Sequence, residues 1–253
     1  MKPILVQIGW FKISSLGVFL LLAFLVGIAV ARRRGQRLGI DPSRMLDLSL
    51  WMIIGGIVVG RLGYAIANWP TFASSPLSIV TIWVDAGLTF YGALIGGLLV
   101  AKYARARTIP MRQFMDVFAP ALAVAYAVAM IGALFHGLYL GRATDVPWKV
   151  TMPLVLDPRH PTQIYLLLAS LGTYQVLRVQ ERQSPPPGVL FFLWLLLFSL
   201  ARVAVEFLVE SPTVLGPLTL AQVVNVAAAV VALIGLFISA RRTPEPEVAL
   251  PAV

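Results

Sequence analysis

Long apolar runs, separated by short basic or Pro-rich breaks, recur along the whole chain. Each approaches or exceeds the ~18 residues that cross a bilayer as a helix. Seven such runs are predicted as spans: Ile13–Ala31, Leu46–Ile66, Trp83–Tyr103, Phe114–Phe135, Thr162–Leu177, Val189–Leu208 and Leu218–Ala240. Backbone in hydrocarbon must bond to itself, and continuous apolar runs do this as helices, whereas a barrel strand would alternate. The expected fold is therefore all-α and polytopic. Residues 1–242 form one transmembrane helical domain, and the Pro-rich tail 243–253 is expected to be disordered. The first run is too long for a cleaved signal peptide and lacks a small-residue cleavage site, so it is read as an anchor.

Composition narrows the class. The chain is 59% hydrophobic and 12% charged, with a mean hydropathy of +0.86, against about 25% charged residues in soluble domains. It cannot cover a water-facing surface. Cysteine is absent, so thiolate chemistry, disulfides and sulfur-bound metal are excluded, and two histidines are too few for a His-rich metal site. The net charge of +9 fits anionic lipid contact and topology better than nucleic acid. Thirteen Lys and Arg fall on one set of loops, five on the other, and Arg61 and Arg202 lie within spans. Positive charge marks the cytoplasmic side. The N-terminus is then outside, the C-terminus inside, and the loops before Asp85 and Thr162 external.

Candidate chemistry collects at the external ends of the spans. Arg61, Tyr64, Asp85 and Tyr91 bracket the stretch Gly60–Gly97, which is threaded with Gly87, Gly92, Gly96 and Gly97. Charged groups at span edges face a cavity or a partner, and such glycines allow close helix approach. Taken alone, these residues also suit a packing hairpin whose Arg61 snorkels to the interface. FHGLYLGR carries His136, Tyr139 and Arg142, and RHPTQIY carries Arg159, His160, Gln163 and Tyr165. In ARVAVEF, Arg202 and Glu206 stand four apart on one helix face. They read either as a structural ion pair or as part of a site, with Arg61 a candidate to join them across the bundle. The excess of Arg over acid suits a phosphate group, which guanidinium grips bidentately. His160 is either a loop residue satisfied by backbone or a base. The expected cavity opens to lipid near the outer leaflet, lined by Arg61, Arg202, Glu206 and the Gly87–Gly97 helix.

The succession GRLGY, WVDAGLTFYGALIGG, GLYLGR, RHPTQIY, ARVAVEF and LAQ resembles the prolipoprotein diacylglyceryl transferases, in order and over about residues 9–242. RHPTQIY is close to that family's RHPSQLYE. The resemblance implies a seven-span enzyme of the bacterial inner membrane that needs no cofactor or metal. It would move the diacylglyceryl group of phosphatidylglycerol onto the lipobox cysteine thiol of a prolipoprotein signal peptide, releasing glycerol phosphate. Carried over by position, the catalytic candidates are Tyr91, Arg202 and His160. The lipid- or phosphate-binding candidates are Arg61, Tyr64, Arg142, Arg159, Gln163, Tyr165 and Glu206.

The chain departs from the family pattern at several of these positions. The family's HGG is Tyr91-Gly92-Ala93 here, which replaces an imidazole by a phenol that titrates near ~10 when unperturbed. In the family's GRLGNFINGELWGR segment, the essential Arg falls on Met130, Asn residues on Ala133 and His136, and Glu on Leu138. One Tyr becomes Leu16, another Phe198, and the Glu ending RHPSQLYE becomes Leu166. Two readings follow. One is a transferase with altered site chemistry, slower by at least roughly 10²-fold than an intact member. The other is a non-catalytic relative that binds lipid or serves as a structural subunit of a membrane complex. A transporter is disfavoured, because no paired broken helices mark a midplane site.

Overall fold

The computed structural model describes residues 3–8, 11–81, 89–104, 110–152 and 155–241. Asp85, Gly87, the start of the third predicted span, Lys2, Arg105, Arg107, Arg242 and the tail 243–253 lie outside the described residues. The helices match the apolar runs closely. They are α1 (Ser15–Arg37), α2 (Pro42–Ala67), the short α3 (Trp69–Ala73), α4 (Phe90–Ala104), α5 (Met111–His136), α6 (Thr162–Glu181), α7 (Val189–Glu206) and α8 (Leu220–Ala240). Among the described residues, α1, α2, α5, α7 and α8 are long and apolar enough to cross a membrane. The protein is therefore all-α and polytopic. The fourth helix is apolar but 15 residues long. The sixth has 20 residues and carries Gln163, Gln175, Arg178, Gln180 and Glu181.

Three two-stranded hairpins accompany these helices: β1 (Ile4–Ile8) with β2 (Phe11–Ser14) ahead of α1, β3 (Val150–Met152) with β4 (Val155–Arg159) between α5 and α6, and β5 (Thr213–Leu215) with β6 (Leu218–Thr219) between α7 and α8. None has a signal of membrane length, so hydropathy alone passes over them. Between α2 and the Ser78–Ile79 segment the chain forms α3, with Pro70 in its first turn, where proline's missing N–H costs nothing.

The chain divides into two compact units, one of Met1–Ala31 with Arg112–Val253, the other of Arg32–Met111. In the second unit, Asp41 caps α2. Its carboxylate accepts from Ser43 N at 2.9 Å and Ser43 Oγ at 2.7 Å, which hold the carboxyl below its ordinary range. Small residues recur every four positions at Gly56 and Gly60 in α2 and at Gly92 and Gly96 in α4. The two backbones close on each other along this stripe, and a Cβ on Gly96 would collide with Gly55 O. Thr89 ties the top of α4 to α2, donating from N and Oγ1 to Gly60 O at 3.1 and 3.2 Å.

In the first unit, the core runs along α5 and α7 through Phe114, Val117, Ala123, Leu190, Phe191 and Trp194, all buried. The start of α7 follows Gly188 at φ 100°, which supplies no side-chain cap. Asp116 of α5 does so instead, accepting from Gly188 N at 2.6 Å and Phe191 N at 2.8 Å. A carboxylate there satisfies orphan N–H groups and complements the helix dipole. Thr219 and Gln222 cap α8 reciprocally in a capping box, whose Thr-x-x-Gln signature is readable in the sequence.

Candidate active site

Seven of the predicted site residues come together in the first unit. After α5 the chain turns through Gly137 (φ 83°) and Tyr139 (φ 57°), then runs extended through Leu140–Thr144. This extended segment is held on both sides. Arg142 N donates to Leu208 O at 2.8 Å, and Glu210 N to Leu140 O at 2.8 Å. On the other side, His160 N donates to Arg142 O at 3.1 Å, and Thr144 N to Pro158 O at 3.0 Å. Glycine is required at 141, where a Cβ would collide with His160 O. Distant parts of the chain, around Arg142, His160 and Val209, are in this way fixed to one another.

Arg159 is largely enclosed. Its Nη1 donates to Gly141 O at 3.1 Å and pairs with Glu210, a residue the sequence reading did not single out. Arg142 is exposed, and its Nε reaches Val209 O only at 3.4 Å. At the first turn of α6, Thr162 Oγ1 donates to Tyr139 O at 2.6 Å, and the fully buried Gln163 donates from Nε2 to Leu138 O. These two side chains take up carbonyls that the positive-φ turn leaves without helical partners. Tyr165 Oη lies 3.2 Å from His160 Nδ1 and accepts from Trp148 Nε1 at 2.7 Å.

The ion pair read from the i, i+4 spacing is present. Arg202 Nη2 lies 3.2 Å from Glu206 Oε2, with both side chains buried. Thr219 Oγ1 donates to Glu206 Oε1 at 3.1 Å. The Arg202 guanidinium stands over the Tyr139 ring at 5.0 Å, a cation–π distance. Met130 and Leu166, where the family pattern has Arg and Glu, fall in one buried apolar cluster with Ala133, Val205 and Val209. The two departures are thus local to one another. Replacing a buried pair by packed apolar side chains can leave stability unchanged.

Arg61, Tyr64 and Tyr91 belong to the Arg32–Met111 unit. Arg61 is buried, not snorkelling. It donates from Nε to Ile79 O and from Nη2 to Ser78 O, both at 2.9 Å, and its guanidinium lies near the rings of Tyr64 (5.6 Å) and Phe72 (5.2 Å). These bonds draw the Ser78–Ile79 carbonyls onto α2. Tyr91 sits in the first turn of α4, edge-on to Phe90 at 5.4 Å. Trp148, Glu210 and Thr219 were not chosen from the sequence, and Tyr139 was named only as a member of a polar cluster. Of these, Thr219 carried a local signal, whereas the others acquire their role only through contacts made by folding.

The fold and site define a polytopic membrane protein with a cluster of arginines, a buried Arg–Glu pair and a Tyr–His pair gathered at helix ends. The family model of prolipoprotein diacylglyceryl transferase matches residues 3–238. The chain is 34% identical over 267 residues to the phosphatidylglycerol–prolipoprotein diacylglyceryl transferase of Synechococcus elongatus, covering 99% of this chain and 92% of that one. It is 32% identical over 262 residues to the protein of that name from Trichormus variabilis, covering 97% and 93%. With its namesake from Chromohalobacter salexigens it shares 31% identity over 259 residues, covering 99% and 96%. The chain belongs to the prolipoprotein diacylglyceryl transferase family.

Proposed function

We propose that this protein transfers the diacylglyceryl group of phosphatidylglycerol to the cysteine thiol of a prolipoprotein. The observation that carries the reading is family membership across nearly the whole chain, together with the site in the first unit. In the reaction a thiol sulfur attacks the glyceryl carbon. A C–S bond forms, the C–O bond to phosphate breaks, and its electron pair leaves on glycerol phosphate. Negative charge gathers on the phosphate, and prepositioned cations are worth most there.

Arg202 suits that task. Glu206 and Tyr139 hold its guanidinium in place, and preorganised charge costs no reorganisation during reaction. Arg142, exposed and lightly committed, is the second phosphate ligand in this reading. Arg159 and Gln163 frame the site by bonding backbone carbonyls. In the other unit, Arg61 and Tyr64 are the proposed lipid-binding residues and Tyr91 the catalytic candidate. The finer topology belongs to the same proposal: seven spans in the bacterial inner membrane, an external N-terminus, and a site near the outer leaflet, supported by the thirteen-to-five division of Lys and Arg.

The test is complementation of a bacterial strain depleted of its own diacylglyceryl transferase, paired with a purified-protein assay on labelled phosphatidylglycerol and a lipobox peptide. Growth and label transfer are expected. Failure of both, with the protein folded in the membrane, would overturn the proposal. A reporter fused after Ala240 should be active only in the cytoplasm, and activity outside would overturn the topology.

A further inference from the structure

Trp148, Tyr165 and His160 form one hydrogen-bond chain, with Trp148 Nε1 2.7 Å from Tyr165 Oη and that oxygen 3.2 Å from His160 Nδ1. The direction of the chain follows from what each group can do. An indole N–H only donates. Tyr165 therefore accepts from Trp148, and its single hydrogen is satisfied by pointing at His160 Nδ1. In that arrangement Nδ1 is the acceptor, which assigns the ring proton to Nε2. The other tautomer would set two donors on the phenol oxygen and leave the phenolic hydrogen with no acceptor among the described residues.

The rings are also held in place. His160 N is bonded to Arg142 O at 3.1 Å, and Thr162, between the two rings in sequence, is bonded to Tyr139 O at 2.6 Å. Tyr165 packs against the cluster of Met130, Leu166 and Val205. Trp148 is 60% exposed. It sits on a turn closed by Lys149 N to Val146 O at 3.1 Å, and its indole reaches back onto Tyr165.

We propose that Tyr165 and His160 together accept the proton of the attacking thiol, with Trp148 as the residue that positions them. The proposal rests on the transferase reading. After accepting from Trp148 and donating to His160, the phenol oxygen keeps one acceptor direction. A thiol docked there gives its proton to Tyr165 Oη while Tyr165 passes its own to His160 Nδ1. The sulfur electron pair forms the C–S bond, the C–O bond to phosphate breaks, and glycerol phosphate leaves with that pair. The proton rests on His160 as imidazolium, and Tyr165 ends neutral. A phenol alone is a poor base, but an imidazole behind it gives the proton a ring nitrogen with a free lone pair as final acceptor. This arrangement supplies a base where position 91 is a tyrosine.

The test joins a spectroscopic arm to a kinetic one, both on the full-length protein in lipid nanodiscs. With only two histidines in the chain, ring-nitrogen NMR of His160 is assignable by its loss in H160Q. The expected spectrum is the Nε2–H tautomer in the unmodified protein and a tautomer mixture in W148F. In the transfer assay, Y165F and H160Q are expected to lose roughly 10²-fold or more in kcat with little change in KM, the range of general acid–base catalysis. W148F is expected to lose less and to shift the acid limb of the pH profile, which a purely structural role would not move. Phenylalanine keeps the ring that packs on the cluster, so Y165F tests the hydroxyl alone. An Nδ1–H tautomer, or an active protein whose Y165F variant is unimpaired, overturns the relay alone. An unmodified protein that transfers nothing overturns the transferase reading and the relay with it.

Discussion

Replacing Glu206 by leucine removes the counter-ion of Arg202 where both side chains are enclosed, at 10% and 4% exposure. Taking away one member of a buried pair costs about 3–5 kcal/mol, because the remaining charge keeps its desolvation penalty and loses its Coulomb gain. The Thr219 hydroxyl also loses its bond to Glu206 at 3.1 Å, although it still accepts from Gln222 N at 3.2 Å and so keeps α8 capped. A hydrogen bond to a charged group is worth about 1.5–3 kcal/mol. It shares the same network, however, so the two costs do not add. The expected loss for E206L is about 3–5 kcal/mol. R202M/E206L removes the buried pair as a whole, and its stability should lie within about 1–2 kcal/mol of the parent. The double-mutant cycle should then show a coupling of at least about 2 kcal/mol, within the range for residues in direct contact. SDS-driven unfolding in mixed micelles measures all four proteins. The double variant should fold yet fail to transfer lipid, separating the structural role of the pair from the phosphate-binding role of Arg202. An E206L cost below about 1 kcal/mol, typical of solvated pairs, or an additive cycle, would refute the reasoning.

Met130→Arg alone places a guanidinium in the apolar cluster and should destabilise by about 3–5 kcal/mol. Adding Leu166→Glu should recover at least half of that in the same unfolding assay, and no recovery would mean that the two positions are not coupled. Gly96→Ala forces a Cβ against Gly55 O and should cost about 1–3 kcal/mol, read as a lower unfolding midpoint. Asp116→Ala removes both acceptors at the start of α7 and should cost at least about 1.5–3 kcal/mol, with Asp116→Asn costing less because one amide oxygen can still accept.

Much of the fold was legible because hydrocarbon imposes a single requirement on long stretches of chain. Backbone bonds must be made within the segment, so apolar length alone marked where α1, α2, α5, α7 and α8 run. The Arg202–Glu206 pair was legible for a similar reason, since four residues along a helix is one turn and the spacing itself brings the charges together. The capping box at Thr219 also lies within reach of a local reading.

The partners of Arg61, Arg142 and Arg159 were not legible, because Ser78 and Ile79 lie across a loop from Arg61, and Val209 and Glu210 lie beyond α6 and α7 from the other two. Arg61 reads as a snorkelling side chain until folding brings the carbonyls of Ser78 and Ile79 onto it. Nothing near Trp148 in the chain points to Tyr165, which lies 17 residues away across the β3–β4 hairpin. Nor does the sequence indicate that Met130 and Leu166, on different helices, share one apolar cluster. The sequence by itself determined where helices form and which ends carry charge, because both depend on neighbours within a turn or a span. Only the tertiary structure decided which charge meets which acceptor. Those distances depend on how Gly137 and Tyr139 turn the backbone and on the close approach of His160 that Gly141 allows, and the extended strand that follows the turn is held by bonds to segments far apart in the chain.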